Sequence, residues 1–283
     1  MDKKYQSLPD VQIEDVKRVL IQQESFDGIL GGGFYPGEAI LLAGEPGSGK
    51  STLLLQVAAR LAMQGKKILY VAGEENSSQV ASRAKRLSAL YKNIYIAEET
   101  MVEKLYDIDK ELDADFIIID SLQTLQSNSL LKLPGNSTVM RYCLASLIGY
   151  TKAHGKNLIT IGHSTKTGLI AGLLTLQHMV DAVFFMSNMD GERWLMSKKN
   201  RFGPAQTSIE LHMTEDGFTE LSGEIQKTRG LQGFTIWELP IVILIFIGAL
   251  TKAIITFIVV FFWTFFSELF KGDKQKHKIA KRG

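Results

Sequence analysis

Eight consecutive residues, Gly44-Glu45-Pro46-Gly47-Ser48-Gly49-Lys50-Ser51, have the types and spacing to grip a chain of phosphates. The pattern G-x-x-x-x-G-K-[ST] lets the backbone curl until successive N–H groups face phosphate oxygens, and a helix opening at Lys50 adds its positive end. The Lys50 ammonium then reaches the β- and γ-phosphates, the Ser51 hydroxyl ligates magnesium, and Thr52 completes the binding set. The ligands this chemistry calls for are ATP and Mg2+. A carboxylate that organises the metal is expected at the end of an apolar strand, and Phe116-Ile117-Ile118-Ile119-Asp120 supplies one. Taken alone, Asp120 could equally be a turn residue; beside the phosphate loop it reads as the magnesium carboxylate. Glu74 and Glu75 follow another apolar run. One of them can orient and deprotonate an attacking water, or the pair can simply favour a helix N-terminus. His163 and Thr165-Lys166 follow a third such run, where a polar group either senses the γ-phosphate or is structural.

These residues need a scaffold that gathers them at one edge. The runs Ala39–Ala43, Lys67–Ala72, Asn93–Ala97, Phe116–Asp120 and Asn157–Gly162 are rich in Ile, Val, Leu and Tyr and too short for helices. Longer amphipathic stretches separate them. Lys50 to about Gln64 is one; another is Ser77–Tyr91, with Val80, Ala84, Leu87 and Leu90 at helical spacing. Strands alternating with helices predict βαβ units and a buried parallel sheet, whose strand ends open onto a common crevice. After Val180 four strand-like runs follow closely: Ala182–Met186, Glu192–Lys198, Thr207–Met213 and Phe218–Leu221. Turn signals at Asp190-Gly191 and Gly203-Pro204 join them, so they read as an antiparallel extension at one edge. The fold class is therefore α/β, with a parallel core, an antiparallel edge and a hydrophobic helix or hairpin at the C-terminus. The boundaries expected are an ATPase domain over 1–223, a linker over 224–238, a membrane segment over 239–270 and a basic tail over 271–283.

The motifs together resemble the bacterial RadA (Sms) recombination ATPases, within the RecA-like group. Leu30-Gly31-Gly32-Gly33 with Pro36-Gly37 is similar to that family's entry into its first strand, and Tyr70-Val71-Ala72-Gly73-Glu74-Glu75 to its second-strand motif. Asp120-Ser121-Leu122-Gln123-Thr124, Gly162-His163-Ser164-Thr165-Lys166 and His178-Met179-Val180-Asp181 match as well. Lys199-Asn200-Arg201-Phe202-Gly203 resembles the family's KNRFG motif. The resemblance spans about residues 8–222. It implies that Glu74 is the catalytic base, that His163 holds the sensor position, and that Lys199 and Arg201 act on the nucleotide of a neighbouring subunit. It therefore implies a homo-oligomer, a ring taken as a hexamer, or a filament. Read without the resemblance, Lys198, Lys199 and Arg201 are a solvated strand face. Single-stranded DNA enters as an implied partner, with Leu131–Arg141 (Lys132, Arg141) and Ser164–Gly172 (Lys166) as candidate contact loops.

The sequence also departs from that family. The family's four-cysteine zinc finger has no counterpart, since Cys143 is the single cysteine, and no zinc is expected. An apolar segment stands where the family carries a Lon-protease-like domain. Ile241–Phe266 is 26 residues with one charge, Lys252, flanked by Trp237 and containing Trp263. As a single helix it would run about 39 Å and place Lys252 near mid-membrane. As a re-entrant hairpin turning near Gly248–Lys252 it would keep both ends cytoplasmic. Both topologies stay open.

Charge agrees with this division. The chain of 283 residues carries +2 overall, but Lys271–Gly283 alone carries +5, so the main body is slightly acidic and not a general nucleic-acid binder. A basic tail beside an apolar run suits a lipid surface. Residues 1–10 have no apolar stretch, so no signal peptide is expected there. The expected function is a RadA-like ATPase, dependent on single-stranded DNA, acting in recombination and repair and tethered to a membrane with its ATPase domain on the cytoplasmic side. The alternative is a membrane-bound, nucleotide-dependent regulatory or scaffolding oligomer that does not act on DNA.

Overall fold

The computed structural model of the chain describes residues 7–10, 15–163, 173–189, 191–219 and 226–227. Met1–Thr228 forms one compact unit. Its first half alternates strand and helix: α1 (Glu24–Leu30), β1 (Ala39–Gly44), α2 (Lys50–Met63), β2 (Ile68–Ala72), α3 (Ser77–Arg86), β3 (Ile94–Ala97), α4 (Val102–Leu112), β4 (Phe116–Asp120), α5 (Ser137–Ala153) and β5 (Asn157–His163). A short α6 (Leu173–Gln177) leads to β6 (Ala182–Met189), β7 (Glu192–Asn200), β8 (Thr207–Leu211), β9 (Met213–Thr214), β10 (Gly217–Phe218) and β11 (Gln226–Lys227). The main sheet has nine strands in the order β11-β8-β7-β6-β1-β5-β4-β2-β3. From β6 to β3 every pairing is parallel; β7, β8 and β11 are antiparallel.

Burial follows from the strand period. In β1, Ile40 and Leu42 join one apolar layer with α1, α2 and α3, while Ala39, Leu41 and Ala43 join the other with α4 and α5. Both faces of the sheet are thus covered, which is why β1, β2 and β4 are buried at every position and read as continuous apolar runs. α3 opens with a reciprocal cap. The Asn76 side chain accepts from the Gln79 amide at 2.9 Å, and the Gln79 side chain accepts from the Asn76 amide.

Three expectations need correction. The helix after Glu75 ends at Arg86 and not at Tyr91, because Ser88 takes a left-handed conformation (φ 53°) and the Ala89 amide turns back to the Ala84 carbonyl. Leu90 consequently leaves the apolar face and is 61% exposed, while Val80, Ala84 and Leu87 stay buried. The run from Ala182 is not part of the antiparallel edge: β6 pairs parallel with β1, and the chain reverses only after it. The run at Phe218 does not extend the main sheet either; β10 pairs with β9 in a separate two-stranded sheet.

β11 lies in the stretch expected as a linker and pairs with β8. The membrane segment 239–270 and the basic tail 271–283 lie outside the described residues. Among the described residues, no helix is long and apolar enough to cross a membrane.

Candidate active site

The parallel register brings the sequence candidates to one edge. Gly44, the last residue of β1, sits beside His163 of β5 and Met186 of β6, and Ala72 of β2 sits beside Asp120 of β4. Gly44 through Thr52 therefore leaves the sheet at the same end as Asp120, Glu74 and His163. Gly47 and Gly49 have positive φ (76° and 103°), the backbone curl that the loop requires. The loop runs straight into α2 at Lys50. In this chain the Lys50 Nζ donates to the carbonyls of Gly44 at 3.0 Å and Glu45 at 2.7 Å, inside the loop that it closes. Lys50 and Ser48 are buried, whereas Pro46 and Gly47 are exposed. Burial pushes the Lys50 ammonium down to about 8, against the opposing pull of the Asp120, Glu74 and Glu45 carboxylates. An ammonium held by two carbonyls in a half-dry pocket is ready to exchange them for phosphate oxygens.

Ser51, Ala72, Glu74, Glu75, Val80 and Asp120 line a small hollow of about 50 Å³ beside this loop. A hydroxyl and a carboxylate facing one small polar space are the donor set that a hard cation such as Mg2+ takes, so these residues fit it. Asp120 is buried, and the fully buried Tyr70 hydroxyl donates to its Oδ2 at 2.6 Å. That leaves Oδ1 as the oxygen free to face the hollow. Tyr70 loses its own acidity, first through burial and then through the neighbouring Asp120.

The two glutamates separate. Glu75 is tied to Arg83 of α3 by an ion pair. Glu74 accepts a hydrogen bond from the Ser121 hydroxyl, and its Oε1 lies 2.8 Å from the His163 Nε2. Ser121 and His163 are 47 and 89 residues from Glu74, so only the folded sheet makes this cluster. Around it, the Gln123 side chain donates to the His163 carbonyl at 3.4 Å, and Thr124 Oγ1 donates to the Ser121 carbonyl at 2.8 Å. A Cβ on Gly73 would fall 1.9 Å from Thr124 Oγ1, so that turn requires glycine. Sequence reasoning did not find Tyr70, Ser121 or Arg83 as site residues. Tyr70 and Ser121 act on partners 50 and 47 residues away, Arg83 on a glutamate just before its own helix, and a lone Tyr in an apolar strand carries no signal.

Lys199 and Arg201 do not join this pocket. Lys199 pairs with Val183 and Asn200 with Ala182, while Gly44 pairs with Met186, so the basic pair sits about 10 Å or more down the strands from the phosphate loop. Nor are they a plain solvated face. Lys199 Nζ donates to the Gln177 and Val180 carbonyls at 2.9 and 2.7 Å, and Arg201 pairs with Asp181 at 3.1 Å. The intervening residues fix the turn. Asn200 Nδ2 donates to the Leu30 carbonyl at 3.2 Å, Phe202 stacks on Tyr35 with centroids 4.1 Å apart, and Arg18 donates to the Phe202 carbonyl at 2.6 Å. Gly31 and Gly203 meet so closely that a Cβ on Gly31 would lie 2.4 Å from the Gly203 Cα. Leu30–Gly33 is thus the seat of the Lys199–Gly203 turn. Of the DNA-loop candidates, Lys132 and Arg141 are exposed; Thr165, Lys166 and the rest of Ser164–Gly172 lie outside the described residues.

The family described as AAA domain matches residues 6–168, more than half of the chain. Among characterised proteins, the chain is 36% identical to a DNA repair protein RadA of Halalkalibacterium halodurans over 82% of its own length and 52% of the relative's. It is 41% identical to the DNA repair protein RadA of Chlamydia pneumoniae, over 76% and 48%, and 38% identical to that of Escherichia coli, over 83% and 53%. The chain spans about half the length of the relatives it matches. On this likeness, and on a phosphate loop set at the carboxyl end of a parallel sheet, the chain belongs to the AAA domain family and carries a RecA-like ATPase domain of the RadA type.

Proposed function

We propose that this protein hydrolyses ATP with Mg2+, that single-stranded DNA stimulates the hydrolysis, and that it works in DNA recombination and repair while tethered to a membrane. The observation that carries the catalytic part is the convergence of Ser51, Asp120 and Glu74 on one hollow beside the Lys50 loop. Glu74 is the general base: Ser121 and His163 hold its carboxylate next to the space where the γ-phosphate would end. Lys50 would leave the Gly44 and Glu45 carbonyls for the phosphates, and Ser51 with Asp120 would hold the magnesium, which would supply charge neutralisation on the phosphate oxygens. His163, bonded to Glu74 through Nε2, responds to a γ-phosphate that competes with the Glu74 carboxylate for the same imidazole N–H.

Lys199 and Arg201 supply positive charge to the nucleotide of the adjoining protomer in a homo-oligomeric ring, taken as a hexamer. Their position away from their own phosphate loop favours this reading. The DNA part is supported by relatives that are DNA repair proteins and by the exposed Lys132 and Arg141. The tether is supported by the 26 residues Ile241–Phe266 with their single charge, followed by the basic tail; it places the ATPase domain on the cytoplasmic side.

The test is ATP turnover by the purified full chain with and without single-stranded DNA. We expect stimulation by DNA and loss of turnover in Lys50→Ala. Turnover that ignores DNA would overturn the repair reading and favour a nucleotide-dependent scaffold.

A further inference from the structure

We infer that Asp181 is a positioning residue for catalysis in trans: its buried carboxylate sets the Arg201 guanidinium toward the nucleotide of the adjoining protomer. The inference rests on the proposal that Arg201 acts on a neighbour's nucleotide, and it adds the residue that makes this possible.

The Asp181 side chain is 2% exposed and Arg201 is 54% exposed, so a fixed anion meets a cation that is half out in solvent. One Asp181 oxygen, Oδ1, accepts from Arg201 Nη1 at 3.1 Å. The other, Oδ2, accepts from the Ala39 backbone amide at 3.1 Å, and Lys152 Nζ lies 3.0 Å from the carboxylate. The backbones are tied as well: the Asp181 amide donates to the Ala39 carbonyl at 2.8 Å, and the Arg201 amide donates to the Asp181 carbonyl at 3.1 Å. Asp181 is therefore clamped to the foot of β1, the strand that ends in the phosphate loop. Arg201 is held through a single nitrogen, which leaves the rest of its planar fork for an acceptor outside the chain. Just before Asp181, the Val180 and Gln177 carbonyls hold Lys199. Residues 177–181 thus orient both cations of the Lys199–Gly203 turn. A long exposed arginine without such a partner samples many rotamers, and each must be lost before it can reach a transition state. Lys152, 43% exposed and on α5, is the second cation on the carboxylate and has no place in the turn.

A complementation assay in the full chain tests this. Asp181→Asn keeps the side-chain shape and an acceptor for the Ala39 amide but removes the charge; Asp181→Glu keeps the charge and displaces it by a methylene. Either variant is expected to bind ATP with unchanged affinity and to lose kcat by about tenfold or more. Mixed with Lys50→Ala subunits, either should regain turnover. In such oligomers a variant subunit offers an intact phosphate loop to a neighbour whose Arg201 is correctly set. A structural defect within the subunit would not be cured by its neighbour. Lys152→Met is expected to keep kcat within about twofold; a loss equal to that of Asp181→Asn would overturn the inference. Arg201→Ala mixed with Lys50→Ala is the reference arm. No regain there would sink the trans role of Arg201, and the inference with it. Regain there without regain for both Asp181 variants would sink the inference alone.

Discussion

Lys50 is the residue on which most of the chemistry turns, and its state without nucleotide is already perturbed. Burial holds its ammonium near 8 instead of the ordinary 10.5, although three carboxylates pull the other way. A triphosphate in the loop favours the charged form and moves the group back up. Between about 8 and 10.5 the bound protein therefore carries more protons than the free one, and binding takes up a proton. ATP affinity should accordingly weaken as pH rises through that window. Calorimetry at pH 9 in buffers of different ionisation enthalpy should report uptake approaching one proton, small at pH 7 and absent in Lys50→Met. Tyr70 offers a second residue-level test. Tyr70→Phe leaves Asp120 Oδ2 buried without its donor, a cost of about 1–3 kcal/mol readable by urea unfolding. Because Asp120 is then free to turn, half-maximal turnover should need more Mg2+; an unchanged Mg2+ dependence would mean that the hydroxyl is not what orients the carboxylate.

The elements explain which of these residues could be read from the chain. The phosphate loop was legible because its chemistry is contiguous: one strand end, one curled backbone and one helix start. Strand ends at Asp120 and His163 were legible because parallel strands between helices must open at one edge. Tyr70 and Ser121 were not, since their partners are set by register and packing rather than by spacing. Helix α3 illustrates the limit from the other side. Its apolar spacing continues to Leu90, but the left-handed turn at Ser88 ends the helix first, and periodicity does not see a backbone reversal. The four runs after Val180 look alike in sequence, and only pairing separates β6, which continues the parallel sheet, from β7 and β8, which reverse it.

The seat of the Lys199–Gly203 turn belongs to this scale too. Gly31 has φ 90° and touches Gly203 backbone to backbone, so Gly31→Ala brings both strain and a clash. It should cost more than about 2 kcal/mol in urea unfolding. Asn200 and Phe202 serve that seat, whereas Lys199 and Arg201 project from it, a division that the sequence motif alone does not make.

At the scale of the whole molecule, the sheet separates two ends with different tasks. Its carboxyl edge gathers the phosphate loop, Asp120, Glu74 and His163; the opposite end carries Lys199 and Arg201. If the proposed action of Lys199 and Arg201 on a neighbour's nucleotide holds, turnover per subunit should rise steeply with protein concentration as protomers associate. Dilution below the assembly range should abolish hydrolysis while ATP binding persists. The claim beneath all of this is that Glu74, held between Ser121 and His163, activates water against a nucleotide gripped by Lys50 and its loop. The most direct measurement is paired ATP binding and turnover for the parent chain and Glu74→Gln. The account predicts unchanged ATP affinity and a fall in kcat of about a hundredfold or more; a Glu74→Gln protein that turns over ATP at the parent rate would contradict it.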